Sequence, residues 1–415
     1  MNTLFVHSAR QLLTLRGAAG PRRGLALAQL QIIDDGAILI EDGVILEVGP
    51  TRRLENLGAA RRAQEVCATG RVVMPGFVDS HTHLISGPPK LSGGAGDGAT
   101  HPVRPTDAAY IRDVSSRRLA TEACQAVEQC LRHGTTAIEA KSGYGLDATG
   151  ELKILRALTT VGDGPVTVAP TFSAGSTPPP EFEGRRGEYM TWLANDLLPR
   201  IHKRGLARFV TAACDSESFT ADEIRPYLVA GRELGMPLKL DLAHEGSAEA
   251  SDLLAELAFT SVDHVEHLEQ NAGPVLAGSG AVAVLTPTWS FFNGRRYAPA
   301  RMLIELGVPV ALASNFSRAS NPSSNMQTVI FLACKQMGLT VAEAVSAATI
   351  NSAHALRLGH RLGSIEPGKQ ADILVLNVGD YRELGFDFGI NLVDMTIRGG
   401  VAMTGQTGAQ WPRAS

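Results

Sequence analysis

Two histidines one residue apart form the most specific chemical pattern in this sequence. His81 and His83 follow an apolar run over residues 73–79, VMPGFVD. Because side chains alternate along a strand, residues i and i+2 point to the same face. Both imidazoles can therefore converge on one metal ion, and imidazole nitrogen is a common ligand of zinc and iron. We expect these histidines to be metal ligands rather than ordinary surface residues.

Other polar or aromatic side chains follow further apolar runs. His264 ends one such run, and a histidine there can bind a metal or polarise a carbonyl group. Tyr144 lies in the run KSGYGL over 141–146, and its phenol can hydrogen-bond a carboxylate or a ring oxygen. Trp289 and Phe292 could stack on a flat substrate, although packing is an equal alternative for such aromatic residues.

These side chains need a scaffold that brings strand ends together. In the middle of the chain, short apolar strands alternate with helical stretches of about 12–18 residues. Eight parallel strands with return helices predict a closed (β/α)8 barrel, with its active site where the strands end. The eight predicted strands cover 72–79, 137–141, 166–172, 209–214, 238–243, 261–264, 282–286 and 310–313.

Both ends of the chain have a different, β-rich texture. Residues 38–49 predict two strands around an Asp-Gly turn, and strand patterns return after residue 363. We expect residues 1–74 and 363–415 to form one accessory β-sandwich domain, and residues 75–362 to form the catalytic barrel.

Composition excludes several classes of function. The net charge is −4, and no basic stripe with interleaved aromatic residues indicates a nucleic-acid partner. No stretch reaches the roughly 18–20 uncharged apolar residues of a membrane span, so we expect no membrane partner. Five scattered cysteines without a C-x-x-C pair favour a reducing, cytoplasmic setting.

The motif that contains His81 and His83 resembles the first barrel strand of the amidohydrolase superfamily. The run KSGYGL closely resembles imidazolonepropionases, and shorter matches such as GKQAD over 368–372 and FGIN over 388–391 extend over nearly the whole chain. The resemblance implies a distorted (β/α)8 barrel with a β-sandwich from both termini. It also implies hydrolysis of a cyclic amide by water held on zinc or iron, and it allows a homodimer.

The sequence departs from that family where the chemistry occurs. The family pattern Lys-Ile-His-Ala-Asp-Glu corresponds here to KLDLAH over 239–244. Asp241 thus replaces a metal-binding histidine, and His244 replaces a glutamate that contacts substrate. Asn315 replaces the aspartate that binds metal and accepts the proton of water. Because asparagine cannot act as a general base, we expect His244 to take over proton transfer.

The expected substrate pocket also differs from the family pattern. Lys90 replaces the arginine that clamps a propionate, so the charge stays but the bidentate fork is lost. Ser176 falls near a pocket histidine of the family. These changes cluster at one barrel mouth, which indicates a changed substrate or reaction.

We interpret the chain as a metal-dependent hydrolase that acts on a cyclic amide C–N bond of an imidazolone-like or related heterocyclic small molecule. It would use one divalent ion, zinc or iron. The expected metal ligands are His81, His83 and Asp241, the expected catalytic residues are His264, His244 and Asn315, and the expected substrate-binding residues are Tyr144, Lys90, Ser176, Trp289 and Phe292.

Two alternatives stay open. Two imidazoles and one carboxylate also resemble the facial triad of non-haem Fe(II) oxygenases, so an oxygen-dependent enzyme acting on a heteroaromatic substrate is the second interpretation. A dependence on dioxygen and ferrous iron would distinguish it from a hydrolase. The third interpretation is a non-catalytic relative that binds a ligand on an enzyme scaffold.

Overall fold

The computed structural model of the protein describes residues 2–88, 103–162, 164–215, 218–242, 247–266, 268 and 272–404. Within these residues the strands are β1 (Thr3–Leu13), β2 (Ile32–Glu41), β3 (Val44–Pro50), β4 (Gln64–Cys67), β5 (Val72–Pro75), β6 (Phe77–Asp79), β7 (Thr82–His83), β8 (Thr135–Lys141), β9 (Thr167–Ser173), β10 (Phe209–Ala213), β11 (Leu238–Asp241), β12 (Phe259–Asp263), β13 (Val282–Leu285), β14 (Val310–Leu312), β15 (Phe316–Ser317), β16 (Ile373–Leu376), β17 (Val393–Arg398) and β18 (Val401–Thr404).

The α-helices of the same part are α1 (Thr51–Leu54), α2 (Pro105–Asp113), α3 (Ser116–Arg132), α4 (Ala148–Gly162), α5 (Arg186–Trp192), α6 (Leu198–Lys203), α7 (Ala221–Glu233), α8 (Ser247–Glu256), α9 (Ala272–Ser279), α10 (Pro287–Phe292), α11 (Ala300–Glu305), α12 (Met326–Gln336), α13 (Val341–Ser346) and α14 (Ser352–Ala355). Short 3-10 turns cover Gly24–Ala28, Ala60–Arg62, Pro180–Phe182 and Tyr381–Gly385, and π-helical turns cover Leu193–Leu197 and Ala347–Asn351.

The middle of the chain forms a nearly closed barrel. Its strands are parallel neighbours in the order β6, β8, β9, β10, β11, β12, β13 and β14. The short strands β7 and β15 pair in parallel and join the first and last barrel strands at their carboxyl ends. The backbone N–H of Asn315 also donates a hydrogen bond to the backbone carbonyl oxygen of His81 at 3.0 Å. The predicted distorted (β/α)8 barrel is therefore confirmed.

The predicted barrel strands match the observed ones within two residues, with one exception. The single strand predicted over 72–79 is wrong, because the chain changes sheets at Gly76. Val72–Pro75 pairs with β1 and β16, whereas Phe77–Asp79 pairs with β8. A Cβ atom at residue 76 would lie 2.3 Å from Oγ1 of Thr136, so only glycine fits at this crossing.

Strands from both ends of the chain share a second sheet, in the order β18, β17, β16, β5, β1, β2, β3, with β4 paired to β1. Its buried core combines residues that are far apart in sequence, including Leu12, Ile38, Val73, Ile373 and Ile397. Burial of this shared apolar surface holds the two termini together. The extra β domain built from both termini is confirmed, while the exact boundaries at residues 74 and 363 stay a prediction.

Helices cover the outside of the barrel with one apolar face each. In α3, Ser115 caps the helix by accepting a hydrogen bond from the amide of Arg118. The buried residues of α3 recur every three or four positions and are Leu119, Ala123, Ala126, Val127, Cys130 and Leu131. Among the described residues, no helix combines the length and the apolar composition that crossing a bilayer requires.

Candidate active site

Three histidines meet at the mouth of the barrel. His81 and His83 follow the first barrel strand, and His264 directly follows β12. The ring centroid of His81 lies 5.3 Å from that of His83 and 4.9 Å from that of His264. The structure thus brings together three of the residues that the sequence indicated, and His81 is almost fully buried among them.

A buried carboxylate orients His81. Nδ1 of His81 lies 2.8 Å from Oδ2 of Asp263, whose Oδ1 accepts a hydrogen bond from Oγ of Ser261 at 2.8 Å. Because a carboxylate only accepts, Nδ1 carries the proton and the lone pair of His81 is on Nε2. Burial, followed by the charge of Lys141, lowers the pKa of His81 well below its ordinary value. The ring is therefore neutral, as a metal ligand must be.

Lys141 connects two of the carboxylates near His81. Its Nζ lies 2.6 Å from Oδ1 of Asp241 and 2.8 Å from Oδ2 of Asp263, and its side chain is fully buried. Burial alone would raise the pKa of Asp263, but the ammonium groups of Lys141 and Lys239 hold it well below the ordinary value. Asp263 is therefore ionised, and the cluster contains a fixed positive charge of its own.

The donor atoms of this cluster fit a divalent metal ion. One ligand atom each from His81, Asp241 and Asp263 lie within 4.8 Å of one another. Within the described residues, Nε2 of His81 and Oδ1 of Asn315 are buried acceptors without a hydrogen-bond partner. Unsatisfied buried acceptors are costly, and a bound cation would satisfy them. Nitrogen and carboxylate donors suit zinc as well as iron.

His264, after β12, and Asn315, after β14, lie in strained backbone at the mouth of the barrel. Their φ angles are 58° and 51°, in the left-handed region that non-glycine residues rarely adopt. Nδ2 of Asn315 is 3.2 Å from Nε2 of His264, and Glu266 faces Nδ1 of His264 at 3.5 Å. Burial would lower the pKa of His264, but the hydrogen bond and charge of Glu266 raise it above its ordinary value.

Tyr144 stands beside the histidines on a turn that follows β8. Its ring is edge-on to His83, with centroids 5.4 Å apart. Burial raises the pKa of Tyr144 to about 12, so its phenol stays protonated and can donate a hydrogen bond. The carboxylate of Glu151 fixes this turn by accepting from the amides of Gly143, Gly145 and Leu146 at 2.8, 2.6 and 3.0 Å.

The remaining predicted pocket residues are more widely spread. Trp289 is 4% exposed and edge-on to His264, with centroids 5.2 Å apart, whereas Phe292 at the end of α10 is 50% exposed. Oγ of Ser176 accepts a hydrogen bond from the amide of Val103 at 3.0 Å. Lys90 and His244 lie outside the described residues.

Sequence reasoning assigned no role to Lys141 or Asp263, although both contact other site residues. A sequence pattern could have identified them, because charged residues occupy every second position in parts of otherwise apolar strands. Glu139 and Lys141 are such a pair in β8, and Lys239 and Asp241 are another in β11. Alternate positions of a barrel strand face its interior. Lys239 also pairs with Glu139 at 2.5 Å in the buried interior.

Comparisons with known proteins match nearly the whole chain. The amidohydrolase family model covers residues 72–403. The imidazolonepropionase of Geobacillus kaustophilus (strain HTA426) is 36% identical over 96% of this chain and 97% of its own. That of Geobacillus thermodenitrificans (strain NG80-2) is 37% identical with the same coverage.

Solved structures show the same fold at low sequence identity. An adenosine deaminase from Xanthomonas campestris with bound zinc has a TM-score of 0.69 at 20% identity, covering 97% of this chain and 93% of its own. An N-isopropylammelide isopropylaminohydrolase from Burkholderia multivorans has a TM-score of 0.72 at 17% identity, with coverage of 97% and 98%. At these identities the similarity establishes the fold alone.

Proposed function

The chain belongs to the amidohydrolase family, and on this premise we propose its substrate class and the role of each site residue. The protein is a metal-dependent hydrolase of C–N bonds other than peptide bonds. The proposed substrate is a cyclic amide in an imidazolone-like or related heterocyclic small molecule. The nearly end-to-end match with curated imidazolonepropionases supports it and favours neither the oxygen-dependent nor the non-catalytic alternative.

One observation carries the proposal of a metal site. His81, whose Nε2 has no hydrogen-bond partner within the described residues, and Asp241 each offer a ligand atom in one cluster. Asn315, whose Oδ1 is a second such acceptor, contacts His264 beside His81. We propose that His81, His83 and Asp241 hold one divalent ion, zinc or iron. When bound, such an ion supplies Lewis-acid chemistry, which polarises a carbonyl group and makes water more acidic.

The proton and carbonyl chemistry falls to the protein's own side chains. His264 is placed to hydrogen-bond the substrate carbonyl, since Glu266 raises its pKa and favours the protonated ring. The side-chain amide nitrogen of Asn315 lies 3.2 Å from Nε2 of His264, and asparagine cannot take a proton at neutral pH. We assign proton transfer to His244, because an imidazole can both accept and donate a proton.

Substrate orientation is proposed for the residues around this centre. The Tyr144 phenol, protonated and edge-on to His83, donates a hydrogen bond to the substrate. Lys90 would attract an acidic chain on the heterocycle. The buried Trp289 flanks His264 and offers an apolar wall, while Ser176 and Phe292 are proposed to contact the outer part of the substrate.

The test is a ring-opening assay with a propionate-bearing imidazolone. The loss of ring absorbance measures the reaction. Protein loaded with zinc or iron is expected to turn over equally with and without dioxygen. His244→Ala is expected to lower kcat by about 100-fold or more, the usual contribution of a positioned acid or base. His202→Ala, which changes an exposed histidine on α6, is the control. Turnover that requires dioxygen would refute hydrolysis, and full turnover by His244→Ala would refute its role.

Two further expectations about the whole protein are also proposals. A homodimer is supported by exposed apolar side chains at Phe386, Phe388 and Ile390, since such patches often mark contacts between proteins. Light scattering that gives the monomer mass would exclude it. A cytoplasmic setting is supported by the five scattered cysteines, which include no C-x-x-C pair.

A further inference from the structure

We propose that the ammonium group of Lys141 is an internal counter-cation that competes with the divalent metal ion for Asp241. This inference rests on the proposed function, because it concerns the metal site of the same hydrolase. In this role Lys141 opposes metal binding, whereas a residue that contacts a metal ligand usually supports metal binding.

The ammonium group of Lys141 lies among the carboxylates of the candidate metal site. Nζ of Lys141 lies 2.6 Å from Oδ1 of Asp241 and 2.8 Å from Oδ2 of Asp263, inside the group of donor atoms that could hold a metal ion. A zinc ion would bind a carboxylate oxygen at about 2.0–2.2 Å. Two cations on the same carboxylate in a buried site repel each other strongly, because little water screens them.

The carboxylates of Asp241 and Asp263 differ in burial and in their number of fixed partners. Asp263 is fully buried and also contacts His81 and Ser261, so it has several fixed partners. The side chain of Asp241 is 14% exposed at the end of β11. A metal ion that enters from the barrel mouth therefore meets Asp241 first. When the metal ion binds, the ion pair of Lys141 with Asp241 breaks and its ion pair with Asp263 remains.

In the metal-free protein, the charge of Lys141 balances the carboxylates of Asp241 and Asp263. Two buried carboxylates beside each other are strongly unfavourable without a positive partner. Lys141 supplies that partner within the chain itself, so the barrel mouth can be folded before a metal ion arrives. The same ion pair must be broken when the metal binds, which lowers the affinity for metal.

The test compares Lys141→Met with Lys239→Met as a matched control. Lys239 is an equally buried lysine that pairs with Glu139. The zinc dissociation constant is measured by competition with a chelator, and unfolding of the metal-free protein is followed by heating. We expect Lys141→Met to bind zinc about 10–100-fold more tightly, opposite in sign to the usual loss of a supporting partner. Both variants are expected to lower the Tm of the metal-free protein, but Lys239→Met is not expected to bind zinc more tightly.

Unchanged or weaker zinc binding by Lys141→Met, while the wild type binds zinc, would overturn the inference and leave the proposed function standing. Absence of zinc binding by the wild type and both variants would overturn both. If Lys141→Met does not fold, crystals of the wild-type protein with and without zinc decide. We expect zinc to lengthen the Lys141–Asp241 distance beyond about 3.5 Å, the limit of a hydrogen bond, with the Asp263 contact kept. An unchanged Lys141–Asp241 contact in zinc-bound crystals would overturn the inference.

Discussion

At the scale of single residues, the site differs at two positions from what the resemblance implies. Asp241, paired with Lys141, is present instead of a histidine, and the amide of Asn315 is present instead of a carboxylate. Asp241 faces the ammonium of Lys141, and Asn315 faces the ring of His264. Relative to the family pattern, the mouth gains a carboxylate at Asp241 on β11 but loses the aspartate after β14 and the glutamate at position 244. The proton acceptor must consequently come from another residue, which is why His244 carries that role in our proposal.

Tyr144→Phe tests whether the phenol orients the substrate. The protonated hydroxyl offers one hydrogen bond, so its removal should raise KM by about tenfold, the equivalent of one net hydrogen bond. We expect kcat to change little, because the hydroxyl takes no part in bond breaking. Steady-state kinetics of the ring-opening reaction measure both constants, with Tyr381→Phe in the 3-10 turn Tyr381–Gly385 as control. A large fall in kcat at constant KM would place the hydroxyl in the chemical step instead.

At the scale of elements, helix α4 fixes the turn that presents Tyr144. Glu151 in its first turn accepts three backbone hydrogen bonds from the turn while remaining almost fully buried. Burial raises the pKa of Glu151 relative to an exposed glutamate. Through these hydrogen bonds, the Glu151 carboxylate connects helix α4 to the turn and so fixes the position of the Tyr144 phenol.

Glu151→Gln tests this positioning role. Glutamine keeps one acceptor oxygen but directs an NH2 group at backbone amides that also donate, so we expect a loss of about 2 kcal/mol in the free energy of unfolding. We also expect KM to rise as in Tyr144→Phe while kcat stays nearly constant. Urea unfolding and kinetics provide the two measurements, and Glu128→Gln on the exposed face of α3 is the control. Lower stability with an unchanged KM would mean that Glu151 supports the fold without positioning Tyr144.

The elements also mark how far the sequence could predict this protein. The alternation of strands and helices was enough to predict the barrel. The spacing of His81 and His83 was enough to predict that their side chains lie on the same face. The crossing at Gly76 was not visible, because it depends on the contact with Thr136 from another strand. The ion pairs of Lys141 were missed for the same reason: the registers of β8, β11 and β12 decide which charges meet, and no single segment contains that information.

At the scale of the whole molecule, strands from both ends of the chain share the second sheet, and a group of basic side chains surrounds His354 of α14. Burial, followed by the charges of Lys369, Arg22 and His360, lowers the pKa of His354 to about 4. An unfolded histidine has a pKa of about 6.5. Between these two pH values the unfolded chain binds a proton that the folded chain lacks, so stability falls as the pH drops through this window.

His354→Gln should therefore reduce the sensitivity of the fold to acid. The variant lacks the proton-binding group, so its urea midpoint should fall less than that of the wild type between pH 7 and about pH 4.5. Urea unfolding at the two pH values measures the difference, with His202→Gln on the protein surface as control. An equal fall in His354→Gln and in the wild type would show that other groups govern acid unfolding.

The most direct test of the account is the metal content of protein purified with zinc or iron supplied, beside that of Asp241→Ala. We expect about one zinc or iron ion per wild-type chain and little or none in the variant, because loss of one of the three ligands destroys a site of this kind. No bound metal in the wild type, or an undiminished content in Asp241→Ala, would contradict the proposed site.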